Sequence, residues 1–163
     1  IGKMQFLFAN NNAVAICRNV VDTVEKIKQT SASVLFQTSL ENLEIYTDEA
    51  RLQQLLINLL INATKFTTEG SITLSLEKQS EEVALFAVSD TGCGIAPEKQ
   101  GAIFNRFEKL NENAQGSGLG LSICQLIVER FGGKIWIDPE YKNGSRFLFT
   151  HPIVSTSRKE VSE

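Results

Sequence analysis

The stretch NLLINATKF, residues 58–66, places three polar side chains at helical spacing. Asn58, Asn62 and Lys65 are four and three positions apart, so they would share one helix face, separate from most of the leucine stripe. Asn is a poor residue for a helix interior because its amide competes with the backbone. A carboxamide oxygen is a hard ligand that suits Mg²⁺, and an ammonium group suits phosphate. The pattern by itself fits a metal–phosphate site and a solvated polar face equally well.

A second candidate is Asp90, which opens the stretch DTGCGI after the apolar run at 83–88. That run predicts a buried strand, so the carboxylate would lie where the strand leaves the core. A carboxylate there could accept a hydrogen bond from an exocyclic amine such as that of adenine. Gly92 and Gly94 would let the backbone approach a planar ring closely. The alternative is an ordinary Asp-Thr-Gly turn that closes a strand.

Two further stretches could contribute to a nucleotide site. In IFNRFEKL, residues 103–110, Phe104 and Phe107 are three apart and interleaved with basic residues, which also fits a short amphipathic turn held to the core by two rings. GSGLGLS, residues 116–122, opens a predicted helix, and glycine-rich helix N-termini bind phosphate. It matches neither a Walker loop nor a dinucleotide fingerprint, and a flexible hinge is the alternative.

The elements that must position these residues follow from periodicity and turn signals. The pattern predicts helices at 13–29, from Thr47 or Asp48 to Phe66, and at 117–131, the last one stopped by Gly132 and Gly133. Strands are predicted at 33–38 and 43–46, joined by a short turn, at 72–76 and 83–89 as a hairpin, and at 135–137 and 146–149 as a closing hairpin. This order predicts an α/β fold: a two-layer α/β sandwich in which about three helices cover one face of a mixed sheet.

Length and composition limit the classes of protein. The 163 residues suggest one domain, and a net charge of −3 without a basic run argues against a nucleic-acid surface. No apolar run approaches the roughly 20 residues of a membrane span, so we expect no direct membrane contact from this chain. The three cysteines are far apart in the sequence and are expected to be reduced thiols of a cytoplasmic protein. The polar tail from 154 onward is predicted to be disordered.

Taken in order, the four stretches resemble one known family. NLLINATKFT, DTGCGI, FNRF and GSGLGLS are similar to the N, G1, F and G2 boxes of the ATP-binding catalytic domain of sensor histidine kinases, a member of the GHKL superfamily with the Bergerat fold. FGGKIWID and NGSRFLF resemble the last helix and hairpin of that family. The resemblance covers roughly 48–153 and, more weakly, the helix from Ala13.

The resemblance implies a role for each matching residue, with ATP and Mg²⁺ as cofactors. It implies that Asp90 reads the adenine amino group, that Asn62 is the Mg²⁺ ligand and that Lys65 contacts phosphate. Asn58 would face the same site, and Phe66 would flank the base. The complete set that it assigns to nucleotide binding is Asn58, Asn62, Lys65, Phe66, Asp90, Gly92, Gly94, Ile95, Phe104, Phe107, Lys109, Gly116, Ser117, Gly118, Leu119, Gly120 and Leu121.

The resemblance also implies partners that this chain does not contain. The family's phosphoacceptor is a histidine on a separate dimerisation domain, and a response-regulator receiver domain then takes the phosphate. The single histidine here, His151, lies at the end of the last predicted strand and is not expected to be the acceptor. We expect 1–12 to be the remnant of a linker from the dimerisation helix, 13–153 the ATP-binding domain and 154–163 the tail. The parent protein would be cytoplasmic, with anchoring in the inner membrane left open.

Two other functions remain to be weighed. Hydrolases of the same superfamily resemble one another in carrying a glutamate one turn before the metal-binding asparagine, as the general base for water. Asn58 occupies that position here, and an amide cannot take up a proton, which favours the kinase. A non-catalytic nucleotide-binding regulatory module stays open as well.

Overall fold

A computed structural model of the chain describes residues 4–94, 98 and 118–153. Three helices and seven strands lie within those ranges. In chain order they are β1 (Ala9–Asn12), α1 (Ala13–Ile27), β2 (Ser33–Thr38), β3 (Glu44–Thr47), α2 (Glu49–Phe66), β4 (Ser71–Ser80), β5 (Val83–Asp90), α3 (Gly118–Phe131), β6 (Ile135–Ile137) and β7 (Ser145–Pro152). The predicted segments at 95–117 and beyond 153 otherwise fall outside the described residues.

The main sheet has five strands in the order β2-β4-β5-β7-β6. β2 runs parallel to β4, and the other neighbours are antiparallel, so the sheet is mixed as predicted. β5 and β7 pair along their whole length, from Val83 beside Pro152 to Asp90 beside Ser145. This register brings the end of β5 next to the start of β7.

A second, two-stranded sheet joins β1 to β3 in antiparallel register. The predicted hairpin between the strands at 33–38 and 43–46 is therefore wrong, because the first pairs with β4 and the second with β1. The side chain of Asn12 explains why β3 pairs with β1. Its Oδ1 atom caps α1 by accepting a hydrogen bond from the Val14 N–H at 3.1 Å, and it also accepts one from the Leu43 N–H at 3.0 Å. The carbonyl of Leu43 in turn accepts from the Ala13 N–H at 2.7 Å. These bonds hold the segment before β3 at the start of α1.

Helix α2 has the apolar stripe that its sequence predicts. The Asp48 side chain caps its first turn by accepting from the Arg51 N–H at 2.9 Å. The buried residues recur at helical spacing: Leu52, Leu55, Leu56, Leu59, Leu60 and Ala63. Truncating one such leucine to alanine typically costs about 2–5 kcal/mol. The helix thereby fixes its opposite, polar face relative to the sheet.

The core lies between the helices and one face of the main sheet. Along β5, Ala84, Phe86 and Val88 are buried, and the Phe86 ring stacks on Phe149 of β7 with centroids 4.6 Å apart. On the other sheet face Leu35 and Trp136 keep 50% and 37% of their surface exposed. The alternation confirms the predicted two-layer arrangement with helices on one face.

The segment before β1 is held against the domain, although residues 4–8 have no regular secondary structure. The Leu7 N–H donates to Asp48 Oδ2 at 2.6 Å, and the guanidinium groups of Arg51 and Arg130 lie over the Phe6 ring, 5.6 and 4.6 Å from its centroid. The Phe131 ring meets Phe6 edge-on at 5.7 Å. We call residues 4–8 the entry segment; it is attached where α2 begins and α3 ends.

None of the helices in the described ranges is both long enough and apolar enough to cross a lipid bilayer.

Candidate functional site

Asp90 is a buried carboxylate at the end of β5, with 3% of its surface exposed. Its Oδ1 atom accepts hydrogen bonds from the backbone N–H groups of Gly92 at 2.8 Å and Ser145 at 3.2 Å. Within the described residues no hydrogen bond reaches Oδ2. Burial raises the pKa of Asp90, and the backbone hydrogen bonds from Gly92 and Ser145 act in the opposite direction without cancelling it. The carboxylate thus has one oxygen fixed by the backbone and one free to accept from a ligand.

The loop after β5 packs directly on the last turn of α2. The Cys93 N–H donates to the Phe66 carbonyl at 3.2 Å, and a Cβ built on Gly92 would lie 2.1 Å from that same oxygen. Gly94 has a φ of +76°, a conformation that glycine adopts without strain. The close packing of this loop on the end of α2 brings Asp90 near the helix that carries the predicted metal and phosphate ligands.

The polar face of α2 ends beside this loop. Asn58 and Asn62 are half-buried and Lys65 is exposed. The Asn58 amide faces the thiol of Cys124 on α3, and this contact moderates the rise that burial causes in the pKa of Cys124, to about 12. In the part of the chain that the structure describes, no hydrogen bond engages the Asn62 amide, so its oxygen is free to bind a ligand.

Thr67 belongs to this site, and the sequence analysis gave it no role. It follows α2 directly and is completely buried, and its Oγ1 makes no hydrogen bond with any described residue. A Cβ built on Gly92 would lie 2.7 Å from this Oγ1, so the hydroxyl faces the loop that follows Asp90. The sequence signal that could have revealed Thr67 is its position as a hydroxyl residue directly after the helix, at the end of the stretch NLLINATKFT. Ser145 was also missed, but it contributes its backbone N–H, which no residue type reveals.

The remaining predicted residues fall into two groups. Gly118, Leu119 and Gly120 form the first turn of α3, and Leu121 is buried in the core with 4% of its surface exposed. The others lie outside the described residues: Ile95, Phe104, Phe107, Lys109, Gly116 and Ser117. The structure therefore unites the base-reading and metal-binding parts of the predicted site and leaves the segment at 99–117 as a prediction.

His151 lies far from Asp90, near the opposite end of β7. It is buried, with 1% of its surface exposed; its Nδ1 is 2.9 Å from the Pro152 carbonyl and its Nε2 is 3.0 Å from the Thr47 hydroxyl. Since a carbonyl only accepts, Nδ1 carries the proton and Nε2 accepts from Thr47. Burial lowers the pKa of His151 to about 4. Both ring nitrogens are engaged in the fold.

The arrangement fits a purine nucleotide with a metal-bound phosphate tail. An acceptor-only carboxylate suits an amino group, and an amide oxygen and an ammonium group suit Mg²⁺ and phosphate. Among the described residues no three acidic, histidine or cysteine side chains cluster as a metal site. The Asn62 amide oxygen could supply one ligand to such a metal.

These features define an ATP-binding domain of the α/β sandwich type, and the comparisons agree. The chain belongs to the family of histidine kinase-, DNA gyrase B- and HSP90-like ATPases, which matches residues 47–155. Within that family it is a catalytic domain of the sensor histidine kinase type, as its similarity to the following proteins shows. The identification made from the four sequence motifs is thereby confirmed.

The similar sequences are adaptive-response sensory kinases. SasA of Gloeothece citriformis is 41% identical over 112 residues, which are 67% of this chain and 28% of the relative. SasA of Rippkaea orientalis is 34% identical over 142 residues, 85% of this chain and 36% of the relative. The chain thus spans little more than a third of these kinases at most.

Two solved structures resemble the whole domain. The nucleotide-free catalytic domain of histidine kinase ThkA is 33% identical with a TM-score of 0.80, and the match covers 92% of this chain and all of that one. Full-length ShkA, solved in complex with AMPPNP, is 28% identical with a TM-score of 0.83, and the match covers 95% of this chain and 33% of that one. Both support the fold described above.

Proposed function

We propose that this domain binds Mg-ATP between the polar face of α2 and the loop after β5, and that it donates the γ-phosphate to a histidine on a dimerisation domain. The observation that carries the proposal is the Asp90 carboxyl, with Oδ1 held by two backbone N–H groups and Oδ2 left to accept from a ligand. The complex of ShkA with an ATP analogue supports a nucleotide at this site.

Each part of the nucleotide has a residue of suitable chemistry. Asp90 accepts from the adenine amino group, and the Phe66 ring flanks the base. The Asn62 amide oxygen holds Mg²⁺, which neutralises phosphate charge, and Lys65 contacts the phosphates. The N-terminal part of α3, which contains Gly118 and Gly120, would place the positive end of the helix dipole toward the same phosphates.

Transfer to a histidine fits this site better than hydrolysis does. Asn58 stands where a general base for water would be needed, and its amide cannot take up a proton. Its neighbour Cys124 stays a neutral thiol at physiological pH because its pKa is raised to about 12. Neither group can activate water.

We propose that the phosphoacceptor histidine and the receiver domain belong to other domains or chains. His151 is unsuited as acceptor because it is buried and both of its nitrogens are bonded. Histidine kinase ThkA, solved with response regulator protein TrrA, is 33% identical to this chain with a TM-score of 0.75 over 90% of it. That complex supports a receiver domain as a partner, and we place the domain in the cytoplasm.

The first test replaces Asp90 by Asn and measures binding of a fluorescent ATP analogue. One hydrogen bond to a charged group contributes about 1.5–3 kcal/mol, so affinity should fall roughly ten- to a hundredfold. Asp48→Asn is the matched control, because it changes another buried carboxylate at the far end of α2. Unchanged affinity in a folded Asp90→Asn protein would refute this role.

The second test concerns the metal and uses Asn62→Ala. If the Asn62 amide holds Mg²⁺, the variant should weaken binding of Mg-ATP much more than binding of metal-free ATP. Gln53→Ala, which removes an amide earlier on the same helix, should change neither. Equal losses with and without Mg²⁺ would mean that Asn62 does not bind the metal.

A further inference from the structure

A cavity of about 230 Å³ lies where the entry segment, β3, the end of α3 and the end of β7 meet. Its wall is mostly aromatic and includes Phe8, Tyr46, Phe131, His151, Arg130 and Pro152. The Phe8 ring stacks on Tyr46 and meets Phe131 edge-on, with centroids 5.6 and 6.0 Å apart. The Phe131 centroid in turn lies 4.6 Å from that of the His151 ring. Each ring is held by its neighbours, so the cavity is built into the fold.

The volume of this cavity suits one ring. An apolar cavity of about 150 Å³ is enough for benzene, whereas sites for drug-sized ligands begin at about 300 Å³. The cavity therefore has room for a single aromatic ring with a short substituent and is too small for a nucleotide. It lies at the His151 end of β7, whereas Asp90 pairs with the start of that strand, so it is separate from the candidate nucleotide site.

Arg130 is the one charged side chain of the cavity wall. His151 is neutral there, because burial lowers its pKa to about 4. The Arg130 guanidinium lies 4.6 Å from the Phe6 centroid, and this contact engages its face and leaves its N–H edge. No described carboxylate forms an ion pair with Arg130, whereas Arg146 has Asp138 at 3.7 Å. A guanidinium edge suits a carboxylate, which it can bind through two parallel hydrogen bonds.

We propose that this cavity binds a small aromatic carboxylate, with its single ring against the aromatic wall and its carboxylate on Arg130. A neutral aromatic compound would leave the guanidinium without an acceptor, and a short aliphatic acid would make little contact with the rings. Phe8 belongs to the entry segment, and the neighbouring Leu7 N–H donates to Asp48 at the start of α2. A ligand that packs on Phe8 therefore also holds the entry segment more firmly on the domain.

The experiment titrates the nucleotide-free protein with phenylacetate and follows the backbone amides by NMR. Phenylacetamide keeps the ring and loses the charge, and acetate keeps the charge and loses the ring, so the two probes separate the parts of the ligand. Arg130→Gln removes the guanidinium from the cavity. Arg51→Gln is the matched control, because it removes the other guanidinium over the Phe6 ring and does not line the cavity. Hydrogen exchange at the Leu7 amide reports on the entry segment.

We expect phenylacetate to shift the amides of Phe8, Phe131 and Gly132 and to slow exchange at Leu7. Affinity should fall roughly ten- to a hundredfold for phenylacetamide and for Arg130→Gln, the effect of hydrogen bonds to a charged group, and stay unchanged in Arg51→Gln. Acetate should cause no such shifts.

Three results would overturn the proposal. The first is the absence of these shifts at phenylacetate concentrations up to about 10 mM, well above the dissociation constant of a weak site. The second is equal binding of phenylacetate and phenylacetamide, or equal losses in the two arginine variants, since either would remove the role of the Arg130 charge. The third is a dimer in sedimentation experiments that phenylacetate does not dissociate, with the exposed Leu7 of a second copy in the cavity.

Discussion

His151 gives the domain a calculable dependence of stability on pH. In the folded state its pKa is about 4, because the ring is buried, against 6.5 for an ordinary histidine. Between these values the unfolded chain binds a proton that the folded chain does not, so the free energy of unfolding falls as the pH falls from 6.5 to about 4. Above 6.5 the full stability is present, and below about 4 the loss levels off.

The size of this effect follows from the shift. One pKa unit corresponds to about 1.4 kcal/mol, so the complete loss is about 3 kcal/mol, of which about 2 kcal/mol appears between pH 7 and pH 5. That is a large fraction of the stability of a small domain, which is about 5–15 kcal/mol. The raised pKa of Asp90 acts in the opposite direction and is common to wild type and to any variant at position 151.

The assay is urea unfolding of wild type and His151→Gln at pH 7 and pH 5. Gln keeps an amide that can bond to Thr47 and has no proton to gain in this range. Wild type should lose about 2 kcal/mol more than the variant does between the two pH values. An equal loss in both proteins, or an ordinary titration of His151 in NMR spectra of the folded protein, would refute the reasoning.

Two further predictions concern the loop after β5. Gly92→Ala places a Cβ 2.1 Å from the Phe66 carbonyl oxygen. We therefore expect the unfolding free energy to fall by about 1–3 kcal/mol and ATP binding to weaken. If the variant keeps both the stability and the ATP affinity of wild type, the close packing of the loop on the helix is contradicted. Cys93 is exposed whereas Cys17 and Cys124 are buried, so a thiol reagent should label Cys93 first, and Mg-ATP should slow that labelling as followed by mass spectrometry. Equal labelling with and without Mg-ATP would mean that the nucleotide does not cover this loop.

Where the sequence carries a strong periodic signal, the fold could be predicted. The leucine stripe of α2 and the alternation along β4 and β5 identify which face of each element is buried, and the structure agrees. β1 could not be found this way, because Ala9–Asn12 has no apolar alternation and is a strand only through its pairing with β3. The wrong hairpin between β2 and β3 has the same origin, since the true partners lie far away in sequence.

The residues of the candidate site likewise differ in whether the local sequence reveals them. Asp90 and Gly92 stand out because a charge and a glycine follow an apolar run. Thr67 does not stand out, because its burial depends on a loop 25 residues further on that folds over the end of α2. Neighbouring residues indicate which groups could act on a ligand, whereas the groups that hold them come from distant parts of the chain.

The attachment of the entry segment has a mechanical consequence. Leu7 and Phe6 are fixed at the first turn of α2, while the candidate nucleotide site lies at its last turn, and 18 residues of helix span about 27 Å. Because residues 4–8 are fixed to the domain, they would turn together with it about the start of α2. A rotation there of about ten degrees would carry Asn62 and Asp90 through roughly 5 Å, on the lever arm that a helix of this length provides. The attachment of the entry segment and the candidate nucleotide site thus lie at opposite ends of one helix, so a small rotation at the first turn would become a displacement of several ångströms at the last.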